Sequence, residues 1–489
     1  ATYLANKRTS GRQMVYVGAN DGMLHAFDGA TGAEVFAYMP ATALGHLGNL
    51  LFRYDPADGA AQRFEHRYYV DGPVTISDAF IGGEWRTVMV GTAGAGGRSV
   101  FALDVLGVGD IQGEHAAATG ADSISGNIGH VLGKPIIVPV GTGADTSWKV
   151  VFGNGYNSRS HDAALFVVNL EDGTATTIVA SETSSDASAH NGLGNIVVVD
   201  RQRRNAAGNA WTMGSDGRAD TVYAGDRNGA LWKFDLNTET VAFDGVPLFV
   251  AASGSGDNAV RQPIMGGLDA AAGPGTATMV YFGTGSYSFV GDDANNAQQT
   301  FYAIIDRGAP VAGRADLLEQ TVGSDSAGYR ASSTNSISAL NDGWYIDLPS
   351  GERFVGNPRV ESGIVFFPAY QPGTQGGDIC GLGGENWLYG LNALTGGAAL
   401  TNVRVGSPSG SSPDSTTGAI KLDTSGTAPV TDVAAMTTPR VSPPASGTDP
   451  DDLEGAVRRH FANQRHHLGG ANVQPDDHFA AMRVCHGPA

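Results

Sequence analysis

The 489-residue chain carries 49 acidic against 30 basic residues, a formal charge of −19, with 41% hydrophobic residues and 70 glycines. That charge, with no basic run interleaved with aromatics, excludes nucleic acid and anionic membrane surfaces as partners held by bulk electrostatics, and favours divalent cations or basic protein surfaces. No apolar run is long enough to span a bilayer, so no membrane insertion is expected, and the glycine content fits a turn-rich all-β chain with several small cores.

Ala1–Arg12 lacks the apolar core of a signal peptide and reads as a linker, as if the chain began partway into a longer protein. Met14–Gly29 (MVYVGANDGMLHAFDG) then alternates apolar and polar residues on either side of Asn20-Asp21-Gly22, a corner of residues that tolerate positive φ. It predicts a β-hairpin. The pattern returns in register at Thr221–Leu236 (TVYAGDRNGALWKFDL), which keeps the first glycine (Gly18, Gly225), the second (Gly22, Gly229) and the closing Asp28 or Asp235. More degenerate copies lie at Thr87–Val105, Lys149–Leu170, Met279–Asp306 and Gly363–Gly396.

Short apolar runs precede several copies, at Tyr69–Phe80, Lys134–Val140 and Gln262–Leu268. Each run, its hairpin and one outer strand make a four-stranded unit, and the first glycines recur about every 70 residues. A β-propeller accounts for this repetition, because radially arranged blades leave only short sheet edges. The alternative is a pair of β-sandwich domains, against which the shared glycine and aspartate offsets argue.

After Gly397, Ser407–Ser415 predicts a surface loop, and Thr424–Met436 alternates once more and reads as a returning strand that completes the first blade. Beyond Val441 the composition changes. The reading is therefore a propeller over residues 1–440 and a linker with a His-rich tail over 441–489, including a short helix near Leu453–His466. His460, His466, His467, His478 and His486 match no standard metal spacing and read as a solvated tail. Cys380 and Cys485 either close a loop of 104 residues, worth roughly 4–5 kcal/mol on the chain-entropy model, or are two unrelated buried thiols.

The chemistry concentrates before the fourth hairpin. Thr212–Asp220 (TMGSDGRAD) matches the second half of a calcium loop of the form D-x-D-x-D-G-x-x-D. Calcium takes six to eight oxygen ligands, and alternate residues of such a loop point inward while the glycine permits its sharp turn. Asp216 and Asp220 supply carboxylates and Arg218 a backbone carbonyl. Thr212 and Gly214 occupy positions that should be acidic or amidic. Asp200, which ends the strand Ile196–Asp200, replaces the first ligand if Arg201–Ser215 loops out as an insertion. The alternative is an Asp-Gly turn without metal.

No G-x-S-x-G elbow, H-E-x-x-H pair or P-loop is present, and Gly91–Gly97 links strands rather than opening a helix. Quinone-dependent dehydrogenases are also propellers and resemble this chain at Asp28–Gly32 and Leu394–Gly396. Their adjacent cysteine pair and regular tryptophan docking motif are absent, so an enzyme is the less favoured reading.

Taken together, these segments resemble the C-terminal domain of the PilY family, large secreted proteins of the bacterial type IV pilus. The resemblance is carried by Met14–Gly29 with Val35–Pro40 (VFAYMP), His66–Gly72 (HRYYVDG), Gly94–Asp104 and Val151–Asn157 (VFGNGYN). It continues through Asp216–Leu236, Gln262–Met265 (QPIM), Phe282–Gly285 with Gln299–Tyr302, Gly343–Pro349 (GWYIDLP) and Gly383–Gly396, in order over residues 12–400. It implies a modified seven-bladed, quinoprotein-like propeller and no enzymatic activity. It also implies pilins or minor pilins as partners, a host or surface receptor, and roles in pilus assembly, retraction control, twitching motility and adhesion. The location implied is the cell surface, pilus tip or outer membrane, reached through the periplasm. For the loop it implies Ca2+, with Asp200 at the first acidic position, Asp216 at the fifth, Arg218 at the carbonyl position and Asp220 at the ninth. The third position and the long insertion depart from the family. A long N-terminal region usually precedes this domain, and its absence here implies a fragment. The non-family alternatives are a quinone-dependent periplasmic dehydrogenase and a constitutive scaffold without metal.

Overall fold

The computed structural model describes residues 3–433, apart from 8–10, 53–63, 106–113, 117–123, 143–144, 181–189, 205–210, 374–383, 402–415, 423–427 and a few isolated positions. The chain divides into a compact unit over Ala1–Val433 and a second over Ala434–Gly487, none of which is among the described residues. The expected tail helix, the five tail histidines, both cysteines and the Ser407–Ser415 loop therefore lie outside them. No helix among the described residues is long and apolar enough to cross a membrane.

The architecture is an all-β propeller. Among the described residues six sheets of three or more strands follow one another along the chain. Each contains one of the six expected hairpins, paired antiparallel: Val15 with Phe27, Met89 with Leu103, Val151 with Val167, Tyr223 with Lys233, Tyr281 with Ala303 and Phe367 with Tyr389. In five of the six a further strand precedes the hairpin, as Ile136–Val140 does before Ser147–Gly153. In the fifth sheet that strand is Leu268–Ala272 rather than the expected run Gln262–Leu268.

Alternation along each strand builds the ring. Val222 and Ala224 enter a core shared with the third sheet, where they meet Leu165, Val167 and Trp232, while Tyr223 between them enters a core shared with the fifth, beside Val280 and Phe282. A strand with period two thus feeds two cores, one on each face. Similar clusters join the first sheet to the second, the second to the third and the fifth to the sixth. Burying one large apolar side chain as completely as Phe234, at 0% exposure, contributes about 1.5–3 kcal/mol.

The repeat's recurring residues have separate causes. A Cβ on Gly225 would sit 2.2 Å from the Ile264 side chain, because the connection to the next sheet crosses there. The closing acids cap the following turn. Asp28 Oδ1 accepts from the Ala30 and Thr31 amides, Asp235 Oδ1 accepts from those of Asn237 and Thr238, and Asn392 plays the same part for Leu394 and Thr395.

The expected returning strand at Thr424–Met436 lies partly outside the described residues, at 424–427 and 434–436. Residues 428–433 carry no strand and are bound to the sixth sheet, where the Val430 amide donates to Asn386 Oδ1 and Asn386 Nδ2 donates to the Ala428 carbonyl. Met14–Gly18 pairs only with Leu24–Asp28 among the described residues, and Val15 and Val17 are 55% and 48% exposed. The N-terminal segment is also not simply a linker. Tyr3 donates through its hydroxyl to Asp78 Oδ1 and stacks on Trp85, and Lys7 pairs with Asp78.

Candidate functional site

The strands Leu193–Val199 and Thr221–Asp226 of the fourth sheet pair antiparallel, with Val199 opposite Thr221. A two-residue corner would suffice to join them. Instead residues 200–220 form an excursion whose limbs Gln202–Arg204 and Trp211–Met213 pair as a small hairpin. This is the looped-out insertion that the sequence required for Asp200 to reach Asp216.

Asp200 closes the base of the excursion. Its Oδ2 accepts from the Ser215 hydroxyl at 2.6 Å and the Gly217 amide at 2.6 Å, and the Asp216 amide donates to its Oδ1 at 3.1 Å. Gly217 has φ of 84°, the left-handed region that an L side chain resists. Asp216 Oδ1 accepts from the Arg218 amide at 3.1 Å, and Arg218 Nη1 lies 3.6 Å from Asp216 Oδ2. Arg218 Nε donates to Thr146 Oγ1, and the Ala219 amide donates to the Pro139 carbonyl, so the loop is anchored on the third sheet as well.

Asp220 stands at the other end, 2% exposed. Its Oδ2 accepts from the Arg201 and Gln202 amides, both at 2.6 Å, and its Oδ1 from the Thr221 hydroxyl. Burial raises its pKa above the ordinary aspartate range; these hydrogen bonds oppose the rise and the nearby negative charge of Asp200 adds to it.

The structure thus gathers Asp200, Asp216, Arg218 and Asp220 on one loop. Their side chains do not form a finished cage: among the described residues no three His, Cys, Asp or Glu side chains converge as a metal centre. The donor set is nonetheless all oxygen, which suits a hard dication, and a carboxylate that accepts from an amide retains lone pairs for an ion. In donor type the residues fit a hard cation, without a closed coordination shell. Arg218 supplies positive charge to Asp216 as the loop stands.

Sequence reasoning missed the cleft on the other side of Arg201. There Lys233 Nζ lies 2.6 Å from Asp306 Oδ2, which also accepts from the Tyr223 hydroxyl at 2.6 Å. The available signal was Lys233 itself, which stands where the first hairpin has Ala26.

A family model described as the PilY1 beta-propeller domain matches residues 1–328. This chain belongs to that family. Among PilY1 relatives, a type IV pilus biogenesis factor PilY1 homolog of Xylella fastidiosa is 40% identical over 468 residues, covering 89% of this chain and 30% of the relative. The type IV pilus biogenesis factor PilY1 of Pseudomonas aeruginosa is 34% identical over 453 residues, covering 80% of this chain and 36% of the relative. The chain spans about a third of the length of these PilY1 proteins. The crystal structure of the Pseudomonas aeruginosa PilY1 C-terminal domain matches with a TM-score of 0.65 at 27% identity, covering 86% of this chain and 89% of that one.

Proposed function

We propose that this chain is the propeller module of a type IV pilus biogenesis factor, a non-catalytic docking body whose 200–220 loop binds calcium. The names carried by its PilY1 relatives support the pilus assignment. The single observation that carries the calcium reading is the position of Asp200, which reaches across the insertion to hold the Asp216-Gly217 turn.

Calcium would supply two positive charges to a loop whose carboxylates repel one another. Asp200 and Asp216 would hold the ion from the turn, with Asp220 at the strand end and the Arg218 carbonyl as further oxygen donors. The chain's own part is to keep that turn closed: Asp200 fixes the amides of residues 216 and 217, and Asp220 fixes those of 201 and 202. A ligand that binds only the closed loop stabilises it by about 2.7 kcal/mol at a hundred times its dissociation constant.

The closed loop presents a surface to a pilin or minor pilin at the cell surface or pilus tip. Pilus assembly, control of retraction and attachment to surfaces follow from that contact. A second reading, a constitutive scaffold, is favoured by the loop's own hydrogen bonds through Asp200 and Asp220.

Surface pili counted on cells of the encoding bacterium test the proposal. Cells whose full-length protein carries Asp200→Ala and Asp216→Ala should show fewer pili, although the protein accumulates normally. Parental pilus numbers in that strain would contradict the calcium role, and parental numbers after deletion of the whole gene would contradict the pilus role.

A further inference from the structure

Between the fourth and fifth sheets, next to the base of the 200–220 loop, lies a cleft of about 380 Å³. Its charged lining comprises Arg201, Lys233 and Arg307 against one carboxylate, Asp306. Three cations to one anion is the reverse of the chain as a whole, with its formal charge of −19.

The one carboxylate is already engaged. Asp306 Oδ2 accepts from Lys233 Nζ and from the Tyr223 hydroxyl, and Asp306 Oδ1 accepts from the Gly308 amide at 2.8 Å. Burial and the neighbouring Asp306 push the Tyr223 phenol far up, so it remains a donor. Lys233 and Asp306 therefore cancel at one wall.

Arg201 is not cancelled. Its Nη2 donates to the carbonyls of Thr276 and Ala277, which carry no net charge. Its Nε is buried without a hydrogen-bond partner, and no carboxylate pairs with its guanidinium among the described residues. Arg307 is held loosely: its Nη2 donates to the Asn341 carbonyl at 3.2 Å and its Nε lies 3.7 Å from Asp342 Oδ1, which leaves Nη1 without a partner among the described residues. With both Nη2 hydrogens spent on those carbonyls, Arg201 offers an oxyanion its Nη1 donors and an uncancelled positive charge, a charge-assisted contact in a partly dehydrated cleft. The cleft volume suits a small ligand or one side chain. Asp306 disfavours a dianionic phosphate over a single carboxylate.

We propose that this cleft is a binding site for a carboxylate group, received by Arg201 and Arg307 beside the Lys233–Asp306 pair. The carboxylate belongs either to a small free acid or to an acidic side chain of a bound protein. The proposal rests on the cleft and not on calcium, so the test is run on metal-stripped protein exchanged into buffer free of calcium and of carboxylate chelators.

The whole chain, labelled with 15N, is titrated with glutarate, with N-acetylglutamic acid amide and with inorganic phosphate, and the amides of Thr276 and Gly308 are followed. Saturable shifts with either carboxylate, weakened about tenfold by Arg201→Gln and by rising salt, support the site. Binding of glutarate alone identifies a free acid as the ligand; binding of the blocked glutamate identifies a protein side chain. Arg307→Glu is the second variant, read in the same way if Arg201→Gln lowers stability. No saturable shift with either carboxylate up to about 20 mM, tighter binding of phosphate, or undiminished binding in both variants would overturn it.

Discussion

Asp200 accepts a hydrogen bond of 2.6 Å from the backbone amide of Gly217, seventeen residues further along the chain. That contact turns an insertion into a closed loop and sets an acidic side chain against a glycine held at φ of 84°. In the proposed account the loop is the part of the propeller that responds to its surroundings.

Arg218 is the internal competitor of the proposed cation. Its guanidinium lies 3.6 Å from Asp216 Oδ2, whereas the backbone carbonyl assigned to the site is retained by any side chain. Arg218→Gln should tighten calcium binding roughly fivefold, about 1 kcal/mol, as measured by calorimetry. Unchanged or weaker binding would show that Arg218 supports the loop rather than opposing the ion.

The pH dependence follows from Asp220. Burial, with a contribution from Asp200, raises its folded-state pKa, so the folded protein holds a proton there over a window just above the ordinary aspartate value of about 3.9. In that window the folded state binds more protons than the unfolded one, and stability contributed by this group falls as pH rises. Asp220→Asn should remove that part of the slope. The check is the difference in urea midpoint between parent and variant across the acidic range; a parallel pair of curves would contradict it.

Arg330 and Glu352 form a buried ion pair at 2.6 Å in the sixth sheet, with Glu352 at 0% exposure and the Tyr389 hydroxyl donating to its other oxygen at 2.7 Å. The guanidinium also stacks 3.5 Å from the Trp387 ring. Arg330→Met leaves the carboxylate unpaired and should cost about 3–5 kcal/mol in denaturant unfolding, whereas Arg330→Met with Glu352→Leu should recover most of it. A single variant as stable as the parent would show that the pair is idle.

Gly225 marks the close approach between successive sheets. Gly225→Ala brings a Cβ to 2.2 Å from the Ile264 side chain and should destabilise by about 1–3 kcal/mol. Gly32→Ala meets nothing within 4 Å and is limited to the strain of its φ of 71°, about 1–2 kcal/mol. Thermal unfolding of the two variants side by side measures the difference.

The hairpins were legible because the second to fifth put alternating residues into two different cores, and that demand writes a period of two into Thr221–Asp226 and its counterparts. The glycine and aspartate offsets were legible for a similar reason, since another segment crosses close to Gly18, Gly153 and Gly225 and a capped turn follows Asp28, Asp235 and Asn392. Leu268–Ala272 was not legible as a strand, because LDAAA offers no alternation and its pairing is imposed by Thr278–Gly283. The sixth sheet hid its order for a topological reason. Tyr329–Ser332, which precedes the hairpin in sequence, pairs with Ala419–Leu422, which follows it. At the candidate site, the role of Asp200 could be read from the Asp-Gly turn and the strand before it. The cleft at Arg201 could not, because its residues come from separate strands and loops of two sheets.

Calorimetric titration of calcium into the metal-stripped chain, beside its Asp200→Ala and Asp216→Ala variants, tests the central claim most directly. The account predicts one saturable site, with a dissociation constant of about millimolar or tighter, lost in both variants while their folded spectra persist. Absence of binding heat in the parent, or equal heat in all three proteins, would contradict it.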